Sequence, residues 1–89
     1  MISNEDKIKL LEIDKRYKVA KLYLFGSNLD NSREANDIDI AVEGIADNVF
    51  FKFYSEIIFA LSKPVDLIDL KKKSLLNDMV KSEGILIYG

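Results

Sequence analysis

A strictly alternating stretch, DIDIAVE from Asp37 to Glu43, places acidic or small residues at every second position and branched apolar residues between them. Successive side chains of a β-strand point to opposite faces of its sheet, so this pattern predicts a strand with one apolar face. The other face then carries both Asp37 and Asp39. Because charged side chains are costly to bury unless they are paired or hold a metal ion, the stretch also predicts a functional site on the sheet.

The periodicity of the remaining sequence predicts a small α+β fold, with a three- to four-stranded mixed sheet and helices packed on it. Helical spacing covers residues 4–16, 46–62 and 74–82, and runs rich in β-forming residues cover 19–25, 37–43, 65–70 and 85–88. A chain of 89 residues can bury one compact core, so we expect a single domain over residues 1–89.

The helix predicted over 46–62 has an apolar face and a second apolar stripe beside it. The face consists of Val49, Phe50, Phe53, Ile57, Ala60 and Leu61, the stripe holds Phe51 and Ile58, and Phe59 lies further round the helix. A small domain can wrap such a stripe with its other elements. Alternatively, the stripe can bind a partner protein or a second copy of the chain. The sequence leaves both alternatives open.

The composition excludes several kinds of site and partner. The chain has no cysteine and no histidine, which rules out disulfides, cysteine nucleophiles, serine–histidine triads and the usual zinc ligands. Its net charge of −2 gives no general basic field, so nucleic acid is not the expected partner. The charged first segment lacks the apolar region of a signal peptide, and no apolar run approaches a membrane span of roughly 20 residues. We therefore expect a cytoplasmic protein without a membrane segment.

A third carboxylate can join the acidic pair if the strand predicted over 65–70 lies beside the one that carries Asp37 and Asp39. Asp66 and Asp69 in that strand point to opposite faces, and the alternation selects Asp66 as the partner of the pair. Carboxylates so close together suit Mg²⁺, which proteins usually hold with one or two carboxylates and the phosphates of a substrate.

Gly26 and Ser27, directly after the first predicted strand, are candidates for binding that phosphate. Glycine lets the backbone approach a ligand closely, and exposed amide groups together with the serine hydroxyl can donate to phosphate oxygens. A phosphate cradle beside a magnesium site indicates an enzyme of nucleoside triphosphates that uses metal-assisted transfer. A P-loop is excluded, because the Gly-Lys-Ser/Thr that it requires is absent.

The series LFGS…DIDIAV…PVDLIDL…EGILIYG, within residues 18–89, resembles the minimal nucleotidyltransferases of the DNA polymerase β superfamily. It is most similar to their MNT antitoxins, which are paired with HEPN toxins. The resemblance implies the nucleotidyltransferase fold and transfer of AMP from ATP, with release of pyrophosphate, to a hydroxyl of the partner toxin. In the antitoxin branch the acceptor is a tyrosine of the HEPN toxin, which is silenced by the modification.

The resemblance also implies a role for each matching residue. Gly26 and Ser27 would bind the triphosphate, and Asp37 and Asp39 would coordinate one or two Mg²⁺ ions. Asp66 would be the third catalytic carboxylate, ligating a metal and helping to deprotonate the attacking hydroxyl.

The sequence departs from the family pattern in the loop that follows the Gly-Ser pair. Family members commonly carry a basic residue and then a glycine where this chain has Asp30 and Asn31, and Arg33 is the candidate that supplies the missing positive charge to the nucleotide. Two alternatives to adenylylation of the toxin stay open on these residues. One is an antitoxin that neutralises its toxin by contact alone, and the other is a nucleotidyltransferase of small molecules.

Overall fold

A computed structural model describes residues 2–26 and 37–89 of the chain, and the structural statements below concern these residues. The elements are α1 (Asn4–Tyr17), β1 (Lys21–Leu24), β2 (Ile38–Glu43), α2 (Asp47–Ala60), β3 (Val65–Asp69), α3 (Leu75–Glu83) and β4 (Ile85–Tyr88). They confirm the predicted α+β fold, and every bound lies within two residues of its prediction. The loop that follows the Gly-Ser pair lies outside the described residues.

The four strands form one mixed sheet in the order β3-β2-β1-β4. β1 pairs antiparallel with both β2 and β4, whereas β2 and β3 run parallel. In this register Leu24 lies opposite Ile40, and Asp39 lies beside Asp66. The sheet therefore brings the end of β1 and the beginnings of β2 and β3 to one region.

One face of the sheet is closed by α1 and α2. Leu10 and Ile13 of α1 and Phe53 and Ile57 of α2 pack against a set of buried strand residues, namely Leu22, Leu24, Ile38, Ile40, Val42 and Leu67. The apolar face predicted for α2 is confirmed, since its six residues are either buried in this core or packed against it. Phe51 and Ile58 of the neighbouring stripe are 78% and 50% exposed, and Phe59, further round the helix, is 89% exposed, so the rest of the described chain does not wrap this side of α2.

Asp6 links the beginning of α1 to the end of α2. The Ser3 hydroxyl accepts a hydrogen bond from the Asp6 amide and caps α1. The Asp6 carboxylate accepts hydrogen bonds from the Ser62 amide at 3.2 Å and from the Ser62 hydroxyl at 2.6 Å. This buried carboxylate is therefore satisfied, as buried polar groups normally are.

Asp14, in the closed core, differs from Asp6 in this respect. Its side chain is fully buried, yet neither carboxylate oxygen has a hydrogen-bond partner in the described ranges 2–26 and 37–89. Burial raises the pKa of the Asp14 carboxyl from 3.8 to about 7, because the charged form is poorly solvated there. Near neutral pH, α1 therefore carries an ionisable group that weakens its own packing.

The opposite face of the sheet is covered by α3. Val80 and Leu70 pack there against Tyr23 and Ala41. The side-chain amide of Asn77 donates a hydrogen bond to the Asp69 backbone carbonyl at 3.3 Å and so fixes the start of α3 to the end of β3. Asp39 and Asp66 share this face of the sheet, because each lies two residues before a residue of that face, Ala41 and Ile68 respectively. None of the described helices is long and apolar enough to cross a membrane.

Candidate active site

The parallel pairing of β2 and β3 places Asp39 and Asp66 side by side. The two are register partners, so they point to the same face of the sheet from strands about 4.8 Å apart. Asp39 is half-buried and Asp66 is exposed. The amide of Phe25 donates to the Asp39 carbonyl at 3.1 Å, which holds the end of β1 beside this pair. Two of the three predicted carboxylates are thus adjacent.

Gly26 lies directly against the Asp39 side chain. Its φ of +65° is a backbone conformation that favours glycine, and a Cβ atom built at this position would lie 2.6 Å from Asp39 Oδ2. A side chain at residue 26 would therefore occupy the space that the carboxylate now fills. The predicted phosphate-binding glycine and the predicted metal-binding aspartate consequently belong to one site.

Asp37 precedes β2 and is exposed. Within residues 2–26 and 37–89, no three or more acidic residues lie close enough together to hold a metal ion, so the three carboxylates do not converge into a preformed cluster as predicted. The pairing of β2 with β3 begins at Ile38, so it brings Asp39 beside Asp66 and does not include Asp37. Asp39 and Asp66 still fit a hard cation, because Mg²⁺ commonly takes one or two carboxylates and completes its shell with substrate phosphates and water.

The position of Asp69 agrees with the prediction that Asp66, and not Asp69, shares a face with Asp39. Asp69 pairs in register with Val42, a core residue, rather than with an acidic one. Its Oδ1 atom accepts a hydrogen bond from the Lys71 amide at 2.9 Å, which stabilises the turn after the strand. Ser27 and Arg33, like Asp30 and Asn31, lie outside the described residues, and their roles stay predictions.

A groove between the end of β1 and α3 adjoins this site, and the sequence did not predict it. It has a volume of about 290 Å³, and its lining includes Phe25, Gly26, Leu76, Met79 and Glu83. Leu76 and Met79 are half-exposed although both are large and apolar. The signal in the sequence was an excess of apolar residues on α3 over those that its packing against the sheet requires.

A protein-family model described as polymerase beta, nucleotidyltransferase, matches residues 7–89 of this chain. The chain is also 36% identical over 91 residues to the protein adenylyltransferase MntA of Shewanella oneidensis strain MR-1. That alignment covers 97% of this chain and 66% of MntA, so the chain spans just under two thirds of the relative's length.

Solved structures of toxin–antitoxin complexes match the fold. One complex, with AMP-PNP, contains a chain that is 31% identical with a TM-score of 0.74, and the match covers 98% of this chain and 74% of that one. Another contains a tri-AMPylated HEPN toxin of Shewanella oneidensis bound to its MNT antitoxin. There the identity is 28% and the TM-score 0.72, over 94% of this chain and 70% of the other.

Proposed function

This chain belongs to the polymerase β nucleotidyltransferase family, and from that premise we propose that it transfers AMP from ATP to a hydroxyl group of a partner HEPN toxin and so acts as an antitoxin. The observation that carries the proposal is the arrangement of Gly26, Asp39 and Asp66 at one end of the sheet. The similarity to an adenylyltransferase and to an antitoxin bound to an AMPylated HEPN toxin supports the same reaction. We also propose that residues 1–89 act as one domain and that the protein works in the cytoplasm, where ATP is abundant.

The triphosphate is held on the β1 side of the site. Gly26 leaves its backbone open beside Asp39, and the Ser27 hydroxyl and the Arg33 guanidinium supply a donor and a positive charge for phosphate oxygens. Asp39 and Asp66, with Asp37 two residues before Asp39 in the chain, would hold one or two Mg²⁺ ions. When bound, Mg²⁺ neutralises charge on the phosphates and polarises the reacting phosphoryl group.

The acceptor hydroxyl approaches from the β3 side. In the strand order β3-β2-β1, Asp66 and Gly26 flank Asp39 from opposite directions, so the nucleotide and the acceptor can enter without crossing. The exposed Asp66 carboxylate takes the proton from the attacking hydroxyl, which we propose to be that of a tyrosine. The hydroxyl oxygen bonds to the α-phosphorus, and the bond to the bridging oxygen breaks, releasing pyrophosphate.

Label transfer in a host lysate tests the reaction. The purified chain is incubated with Mg²⁺ and with ATP labelled on either the α- or the γ-phosphate, and the Asp37→Asn/Asp39→Asn protein is the control. We expect one protein band labelled only from the α-position and absent with the control. A band labelled from the γ-position would indicate a kinase instead, and no band at all would contradict nucleotidyl transfer to a protein.

One observation favours the contact-only antitoxin as a second candidate. Phe51 and Phe59 of α2 are largely exposed, and such an apolar surface is typical of a protein-binding site. If contact alone neutralises the toxin, the Asp37→Asn/Asp39→Asn protein should still rescue toxin-expressing cells, whereas Phe51→Asp should not. Rescue that depends on the two aspartates would instead support the enzymatic antitoxin.

A further inference from the structure

The groove between β1 and α3 lies next to the proposed triphosphate site. Gly26 contributes to both, since it lies against Asp39 on one side and lines the groove together with Leu76 and Met79 on the other. Asp66 lies across β2 from this groove, on the far side of Asp39. The groove is therefore at the nucleotide side of the site and not at the side from which the acceptor approaches.

The size and lining of the groove suit a flat apolar ring. Its volume of about 290 Å³ is at the lower limit of ligand pockets, which hold whole drug-sized molecules at ~300–1,000 Å³. It can thus receive one part of a nucleotide and not all of it. Phe25, Leu76 and Met79 line the groove with apolar and polarisable atoms that such a ring can contact.

Glu83 is the one ionisable side chain among the residues that line the groove. It is the last residue of α3, where the negative end of the helix dipole disfavours a carboxylate. Lys81, the basic residue of the same turn, pairs with Glu43 at 3.5 Å instead. Within the described ranges, the Glu83 carboxylate makes no ion pair or hydrogen bond that would offset this unfavourable position.

We infer that this groove is the base subsite of the nucleotide site and that Glu83 selects bases with an exocyclic amino group. The inference rests on the proposed function, because it assumes a nucleoside triphosphate at Gly26. The adenine ring lies between Met79 and Phe25, and its amino group donates a hydrogen bond to the Glu83 carboxylate. Inosine carries a carbonyl oxygen at that position, which the carboxylate repels.

Calorimetric titration of the purified chain with ATP, ITP and inorganic tripolyphosphate, at one Mg²⁺ concentration, tests the inference. The wild type should bind ATP about tenfold more tightly than either ITP or tripolyphosphate. Met79→Ala should weaken ATP severalfold and leave tripolyphosphate unchanged. Leu75→Ala is the matched control, because Leu75 is 85% exposed on the same helix and does not line the groove.

Glu83→Gln provides a second variant that a purely structural role would not affect. The glutamine amide can donate to the inosine carbonyl as well as accept from the adenine amino group, so the ATP/ITP affinity ratio should fall towards one, mainly because ITP binds more tightly. An unchanged ratio would overturn the assignment of Glu83.

Failure of this inference and failure of the proposed function give different results. If tripolyphosphate binds as tightly as ATP, the groove adds nothing to nucleotide binding and the inference is wrong, while the triphosphate site survives. If neither binds, both fail. Loss of partner capture by Met79→Ala, with nucleotide affinities unchanged, would reassign the groove to a side chain of the partner protein and also overturn the inference.

Discussion

The face of the sheet beneath α1 and α2 is closed by apolar side chains, whereas the face that carries Asp39 and Asp66 keeps one carboxylate exposed and the other half-buried. Both faces come from the same strand, because Ile38 and Ile40 point to the core and Asp39 points away from it. The alternation of β2 thus places the side chains that stabilise the fold on one face and the proposed catalytic side chain on the other. Substitutions on the closed face should change the free energy of unfolding, and those on the open face should change the reaction.

Phe53 and Phe51 should show the largest difference in stability between a buried and an exposed position of one helix. Phe53 is fully buried in the closed core, and Phe53→Ala should lower the free energy of unfolding by about 3–5 kcal/mol. Phe51 lies two residues earlier on α2 and is 78% exposed, so Phe51→Ala should change it by less than about 0.5 kcal/mol. Urea denaturation of the two variants checks the difference, and similar losses would place Phe51 in the core.

Asp14 should make the stability of the closed face depend on pH, because it places an ionisable carboxyl group there. Its pKa is 3.8 in the unfolded chain and about 7 in the folded one, so between these values the folded state binds the extra proton. The free energy of unfolding should therefore fall as the pH rises from about 4 to about 7.

Asp14→Asn keeps the shape and removes the charge, so at pH 8 it should stabilise the protein by about 1–3 kcal/mol. At pH 4 the gain should disappear. Thermal unfolding at both pH values measures this difference. A variant with the same pH dependence as the wild type would show that Asp14 is not the titrating group.

Gly26 should give a smaller loss of stability than Phe53 and a large effect on transfer. Gly26→Ala forces a side chain into a left-handed conformation, which costs roughly 1–2 kcal/mol, and its Cβ displaces the Asp39 carboxylate. Gly44→Ala is the matched control, because Gly44 has a φ of +82° and its added Cβ would meet Ala20 rather than an aspartate. Transfer lost equally in both variants would argue against a special role for Gly26.

The alternation of β2 and β3 predicted which side chains share a face, including the choice of Asp66 over Asp69. That prediction succeeded because strand geometry is local. The sequence analysis could only assume that β2 and β3 are neighbours, since strand order depends on contacts between distant residues. The structure shows that the two strands pair.

The sequence could not predict the burial of Asp14 or the groove beside α3. A helical pattern counts apolar residues, so it misses a carboxylate that lies within the buried stripe between Leu10 and Tyr17. The groove forms where α3 packs beside the end of β1, although the two elements are about fifty residues apart in the sequence. The sequence shows the apolar residues of α3, but it does not show that they lie beside Gly26.

The most direct test of the two-faced strand compares Asp66→Asn with Asp69→Asn. Both variants remove one carboxylate from β3, and after Asp69→Asn the side-chain oxygen can still accept the hydrogen bond from the Lys71 backbone amide. Transfer of α-labelled AMP to the acceptor should fall by about 10²–10³-fold with Asp66→Asn and by no more than a fewfold with Asp69→Asn. Equal rates for the two variants would contradict the claim that the open face of the sheet carries the reaction.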